Sequence, residues 1–257
     1  MARGRVEARI TVPTGGWSVS LTITAIGGPY TVTVAAGNYF PTDLLSTLQM
    51  QLDAATGADG AFTVSASWGE AGTGKVTIAH ATQTFTLTWT STDLRDVLGF
   101  AGSLSPAALT FTGTLHARGV WLPDCEMDAD RGADGGIYET DRGTMESPQG
   151  DVYGLVYNTR QRHDGFTWPH ITHGRAQITY ETTTGESFEQ WWRDTHSGLR
   201  SYFEAVPQLR IYFSADAGTY YTFREFSRTD TEAPRFDAQW RYLRTVRIGP
   251  LYRVPGT

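Results

Sequence analysis

The residues of this 257-residue chain whose types and spacing could do chemistry begin in its middle. Asp124, Asp128, Asp130 and Asp134 precede Gly135-Gly136. Carboxylates interleaved with glycines let a loop wrap a hard cation such as calcium. The run lacks the closing Glu of an EF-hand loop, and the plainer reading is a solvated acidic loop. His163, His170 and His173 follow, close enough in sequence for imidazoles to share a zinc ion. No cysteine lies nearby, however, and Arg160, Arg162 and Arg175 make the neighbourhood cationic. Neither cluster is assigned a metal.

Aromatic and basic residues form the second set. Trp168, Trp191 and Trp192 could stack on sugar rings. On an amphipathic helix Trp191 is expected in the core, and Trp192, turned some 100° away, at an interface. Arg241, Arg244 and Arg247 recur every third residue, which on a strand distributes them over both faces and gives no basic stripe. They are expected to pair with acidic groups within or between subunits. With Tyr252 in the same closing segment, the interface candidates are Trp168, Trp192, Arg241, Arg244, Arg247 and Tyr252. Gly72-Thr73-Gly74-Lys75 lacks phosphate-loop spacing, and there is no Gly-x-Ser-x-Gly elbow. The sequence therefore predicts no catalytic residue and no cofactor or metal site.

Composition narrows the classes further. Hydrophobic residues make up 40% and aromatics 12%, enough for a packed core. A net charge of -6 argues against a partner selected by nucleic-acid sequence. The lone Cys125 permits no intrachain disulfide and suits assembly in a reducing cytoplasm. The opening MARGRVEARITV has no signal-peptide core, and no stretch approaches the ~18 apolar residues of a membrane helix. The expectation is a soluble protein without a membrane partner.

Positive charge divides the chain. Between Ile10 and Leu115 only Lys75 and Arg95 carry it, in a Thr/Ala/Gly-rich background, whereas the second half is crowded with Arg, Trp, Tyr and Phe. We expect two mainly β, sandwich-like domains, 1–116 and 117–257, each with one short-to-medium helix. In the first, Trp17, Val19, Leu21 and Ile23 alternate with Ser and Thr, Gly27-Gly28-Pro29 breaks the run, and Tyr30, Val32 and Val34 resume it, which reads as a hairpin. Leu44, Leu45, Leu48 and Leu52 share a helical face, with Thr42 as its expected cap. Phe62–Ala66, Val76–Ile78 and Phe85–Trp89 read as strands, and Thr92 to Leu98 as a short helical turn stopped by Gly99. In the second, residues 124–151 read as a long loop, ordered by a partner. Val152 to Val156 and Ala176 to Tyr180 read as strands. Ser187 and Gln190 form a capping box for a helix carrying Phe188, Trp191 and Trp192. Leu209 to Phe213, Tyr221 to Phe226 and Trp240 to Ile248, continuing toward Tyr252, close the domain as strands.

The order strand, strand, helix, strands, short turn, carried by Gly37-Asn38-Tyr39-Phe40-Pro41-Thr42, Phe62-Thr63-Val64, Lys75-Val76-Thr77-Ile78 and Asp96-Val97-Leu98-Gly99-Phe100, resembles a small β module of viral and bacteriophage structural proteins. Ile178-Thr179-Tyr180, Phe188 with Trp191-Trp192, Tyr221-Thr222-Phe223-Arg224 and Tyr242 to Ile248 together resemble the tail-tube-like domain of distal-tail and minor tail proteins of long-tailed bacteriophages. The resemblance implies a non-enzymatic component of the virion tail, in the distal tail or baseplate region. It would be assembled in the host cytoplasm, with a homo-oligomeric ring of itself and other tail or baseplate proteins as partners. A head decoration or fibre-like protein, and a carbohydrate-binding adhesion module, are the alternatives.

Overall fold

The structure is a computed structural model and describes residues 4–57, 61–68, 72–123, 128–129, 137–146, 152–163, 166–172, 188–196, 200–203, 208–212, 220–224, 228–229, 235–236, 242–249 and 251–253. The fold is mainly β, built from several antiparallel sheets with few helices. In chain order the first half contains β1 (Arg5–Ala8), β2 (Ile10–Val12), β3 (Trp17–Ile23), β4 (Gly27–Val34), β5 (Gly37–Tyr39), α1 (Pro41–Thr56), β6 (Phe62–Ala66), β7 (Val76–His80), β8 (Phe85–Trp89), α2 (Thr92–Val97), β9 (Leu104–Ala108) and β10 (Thr110–Thr112). The second half contains β11 (Val120–Trp121), β12 (Asp128–Ala129), β13 (Ile137–Glu146), β14 (Val152–His163), β15 (Phe166–Thr172), α3 (Phe188–His196), β16 (Leu209–Tyr212), β17 (Tyr220–Arg224), β18 (Arg228–Thr229), β19 (Arg235–Phe236), β20 (Tyr242–Ile248) and β21 (Leu251–Arg253).

Alternation drives the first module as expected. In β3 the odd positions are buried and Ser18, Ser20 and Thr22 face outward. The strand pairs with β4 in the register Trp17↔Val34 to Leu21↔Tyr30. The turn falls earlier than the glycines suggested, because Gly27 already opens β4. One sheet runs β4-β3-β8-β9 and the other β10-β7-β6. Their inner faces share one core with Leu44, Leu45, Leu48 and Leu52 of α1. α1 packs along both β4 and β6, the free edges on its side of the sandwich. From it Gln49 Oε1 accepts the Val64 N–H at 3.0 Å and Asp53 Oδ1 the Phe62 N–H at 2.8 Å. Side chains of a helix thus take up donors that an edge strand would otherwise offer to another chain. After α2, Gly99 has φ +75 and its backbone lies against Leu115 O, so no side chain fits there.

Three features differ from the sequence-based expectation. First, β1 belongs to the second half of the chain: it pairs with β11 (Val6↔Trp121) and with β16 (Val6↔Ile211), inside the seven-stranded sheet β11-β1-β16-β17-β21-β14-β13. The first module is therefore inserted between two neighbouring strands, and the boundary expected at 116/117 leaves β1 on the wrong side. All four residues of β1 are buried, although Arg5 and Glu7 carry charge. Second, the stretch expected as a long 124–151 loop contains β13, paired with β14 along its whole length from Ile137↔Arg162 to Glu146↔Val152, with a register shift at Asp141/Arg142. Its Glu, Asp, Arg and Gly content hides the period-two signal, which is tolerable because among the described residues β13 lies at the sheet edge with one neighbour. Third, the closing segment is two strands in two sheets. β20 pairs with β15, β18 and β19, whereas β21 pairs with β14 and β17.

The second core joins both of these sheets. Val6, Trp121, Leu209, Ile211, Phe223 and Leu251 from one meet Phe166, Trp168 and Ile248 from the other, with Phe188 and Trp191 of α3 packed among them. The Trp121 ring lies edge-on to Trp168 at 4.8 Å and to Phe188 at 4.8 Å, contacts worth roughly 0.5–1.5 kcal/mol each beyond the area they bury. No helix among the described residues is long and apolar enough to cross a membrane.

Two outcomes check this architecture. Gln49→Ala and Asp53→Ala should each lower stability by roughly 1 kcal/mol, since each strands a backbone donor at the β6 edge; denaturant unfolding measures it. Replacing residues 10–117 by a short turn between β1 and β11 should leave a cooperatively melting second module, whereas deleting β1 as well should abolish the transition.

Candidate functional site

Among the described residues, the most elaborately built polar site lies where the inserted module meets the larger sheet. β1 supplies Arg5 and Glu7, the first turns of α1 supply Thr42 and Asp43, and β16 supplies Arg210 and Tyr212. Glu7 is fully buried. Arg5 Nε lies 3.1 Å from Glu7 Oε1, and the Thr42 hydroxyl donates to the same oxygen at 2.5 Å. Thr42 was expected to cap α1. Instead Phe40 occupies the cap position with no side-chain bond, Pro41 opens the helix, and the Thr42 hydroxyl is turned to Glu7. Arg210 forms a fork to Asp43, Nη1 to Oδ1 at 3.0 Å and Nη2 to Oδ2 at 2.9 Å. Two parallel bonds of this kind fix orientation as well as distance.

Both guanidinium groups also lie on aromatic faces. Arg5 Cζ is 3.8 Å from the Tyr212 ring centroid and 5.1 Å from that of Trp68. Arg210 Cζ is 4.0 Å from that of Phe40 and 4.1 Å from that of Tyr220. Burial pushes the Glu7 carboxyl above its usual range, against the opposing pull of Arg5, the Thr42 hydrogen bond and Arg210. Burial, reinforced by the charge of Glu7, raises Tyr212 as well. Such a cluster can hold two bodies in one orientation.

A second polar contact lies between α2 and the segment 200–203. Asp96 Oδ2 accepts from Arg200 Nη1 at 2.6 Å and from the Tyr202 hydroxyl at 2.7 Å. Arg200 Nε also lies 3.6 Å from Oδ2 of the buried Asp194 on α3. Burial and the bond to Asp96 raise the Tyr202 hydroxyl above its ordinary value. Tyr202 and Phe203 complete the first core, where Trp17 meets Tyr202 at 6.1 Å. No local pattern in the sequence marks residues so far along the chain as closing the first module.

The interface candidates separate. Trp168 is a correction: it is fully buried in the second core and presents no face to a neighbour. Its position in β15, with Val246 as register partner, points the indole into the sandwich. Trp191 is fully buried, as its helical position implied, and Trp192 is partly buried against the same core, 5.8 Å from Phe188. Arg247 and Tyr252 are half-buried, on β20 and β21 respectively. Arg244 is placed by the pairing of β20 opposite Ile171, and Arg241 lies outside the described residues. Cys125, Asp124, Asp130, Asp134, His173 and Ser187 also lie outside them. Among the described residues no group of three or more His, Cys, Asp or Glu is placed to hold a metal ion. The chain matches no protein-family model, no curated protein and no solved structure.

The raised Glu7 gives a signed pH effect. A carboxyl whose folded pKa lies above its unfolded one adds stability that is complete below the unfolded pKa and lost as pH rises through the folded one. Wild type should therefore gain stability relative to Glu7→Gln as pH falls from neutral toward the usual carboxylate range. Denaturant midpoints of the two proteins across that window decide it; a difference independent of pH contradicts the assignment.

Proposed function

We propose that this chain is a structural subunit of a bacteriophage tail, in the distal-tail or baseplate region, that builds a ring or collar by self-association. One observation carries the reading. Among the described residues the second module has two sheets around its own aromatic core, and the first module emerges from between its adjacent strands β1 and β11. An insertion at that point adds a displayed domain without interrupting the supporting one. This agrees with the resemblance of the second half to tail-tube-like domains of distal-tail proteins, with the inserted module projecting or padding a joint. The ionic cluster around Glu7 and the Asp96–Arg200–Tyr202 contact hold the projecting module at a set angle.

In this reading α3 carries the assembly contact. Trp192 retains exposed surface beside a core that Trp191 fills, and an aromatic anchor of this kind at an interface costs roughly 2 kcal/mol or more of binding on truncation. Trp192→Ala should weaken assembly more than it weakens the fold, since part of its indole also packs on the second core. Trp191→Ala should lower stability by about 3–5 kcal/mol. Mass photometry beside thermal melts separates the two, and equal melting losses with assembly intact would place the contact elsewhere.

A further inference from the structure

We propose that the free edge of β10 is a pairing site for a second copy of this chain. The inserted sandwich has four sheet edges, β4 and β9 in one sheet and β6 and β10 in the other. α1 packs on β4 and β6, and its Gln49 and Asp53 take up β6 donors. β9 carries Pro106, which has no N–H to offer a neighbour. β10 has none of these protections.

The ladder fixes which groups are left over. Thr110, Phe111 and Thr112 face Ala79, Ile78 and Thr77 of β7. Just outside the strand, His80 N–H donates to Leu109 O at 2.9 Å and Gly113 N–H to Val76 O at 2.8 Å. In an antiparallel pair, bonded and non-bonded positions alternate. Leu109, Phe111 and Gly113 are therefore bonded to β7, and Thr110 and Thr112 direct their N–H and C=O groups away from it. Among the described residues no strand lies on that side of β10.

Two further observations converge on the same edge. From Leu98 to Ala117 the chain contains no Asp, Glu, Lys or Arg, although charge is the usual means of keeping an edge strand single. Of the large hydrophobic residues exposed among those described, Met50, Leu109 and Leu115, two flank β10 at 45% and 37% exposure.

The pattern is self-complementary. A two-fold axis beside Phe111 sets Thr110 of one copy opposite Thr112 of the other, twice. Each such pair exchanges both backbone bonds, so all four outward groups of each strand are satisfied. Phe111, half-buried and 5.2 Å from Phe85 within its own core, then meets Phe111 of the second copy at a non-bonded position, and the two three-stranded sheets become one of six. A second copy suits the edge electrostatically. Each chain carries a net charge of -6, and this neutral stretch lets two copies approach without opposing their carboxylates. The contact is isologous and short, and its pairing alone is weak. It uses no residue of the second module, so it stands or falls apart from the tail reading.

Sedimentation velocity of the full chain over a range of concentrations tests it. Wild type should show a concentration-dependent doubling of mass. Thr112→Pro removes one outward N–H and leaves the backbone bonds to β7, at the loss of the exposed Thr112–Thr77 hydroxyl contact of 3.1 Å, and Thr110→Lys places a charge at the contact. Either should weaken the doubling about tenfold or more with the melting temperature held, and Ser105→Lys on β9 should not. If Thr112→Pro fails to fold, Thr110→Lys decides. In a Cys125→Ser background, Phe111→Cys should give a disulfide-linked dimer on mild oxidation and Ser105→Cys should not. A wild type monomeric throughout with no cross-linked dimer overturns the proposal. So does an assembly, of any size, whose mass is unchanged by Thr110→Lys.

Discussion

Glu7 has no exposed surface, and the arrangement of the rest follows from what a buried carboxylate requires. Removing an ionised group from water is expensive, and burial raises the Glu7 carboxyl even though neighbouring charge and hydrogen bonds replace part of the lost hydration. The replacements come from separate parts of the chain: Arg5 from the same strand, Thr42 from α1, and the charge of Arg210 from β16. These groups converge only if the inserted module sits at one angle on the larger sheet. The Arg210–Asp43 fork then fixes the start of α1 from the outside. Replacing Arg210 by Lys would keep the charge but lose both the fork and much of the stacking on Phe40 and Tyr220.

The two modules also share chain. β1 lends Val6 and Ala8 to the second core, and segment 200–203 lends Tyr202 and Phe203 to the first. Each module is thus completed by residues distant in sequence. The crossing points are sealed by backbone bonds, Ala8 N–H to Gly119 O at 2.8 Å and Arg118 N–H to Val97 O at 2.8 Å. Two chain crossings, an ionic cluster and a borrowed aromatic pair thus join the inserted module to the larger sheet.

What the sequence disclosed depended on how local the signal was. The alternation of β3 and the leucine face of α1 are periodic within a dozen residues, and both form as read. The stop at Gly99 is equally local, a positive φ beside a backbone oxygen. β1 was illegible because Arg-Val-Glu-Ala resembles a solvated tail; its burial depends on strands more than a hundred residues away. β13 was hidden by charged and glycine residues that only an edge strand tolerates. Trp168 read as a surface platform because tryptophan suits both interface and core, and only its register opposite β20 decides between them. The polar junction was missed for the same reason as β1: Thr42 and Asp43 carry the composition of a helix cap whatever their side chains finally bind.

In the proposed reading the two-sheet body repeats around an axis as the wall of a ring, and the inserted module is directed away from it. The most direct test is electron microscopy of the purified full-length chain, with two-dimensional averaging of the particles. On this reading, closed rings of uniform diameter, in which each subunit shows two lobes at a constant angle, are expected. Particles that remain single two-lobed bodies at every concentration, or whose lobes adopt many angles, would contradict it.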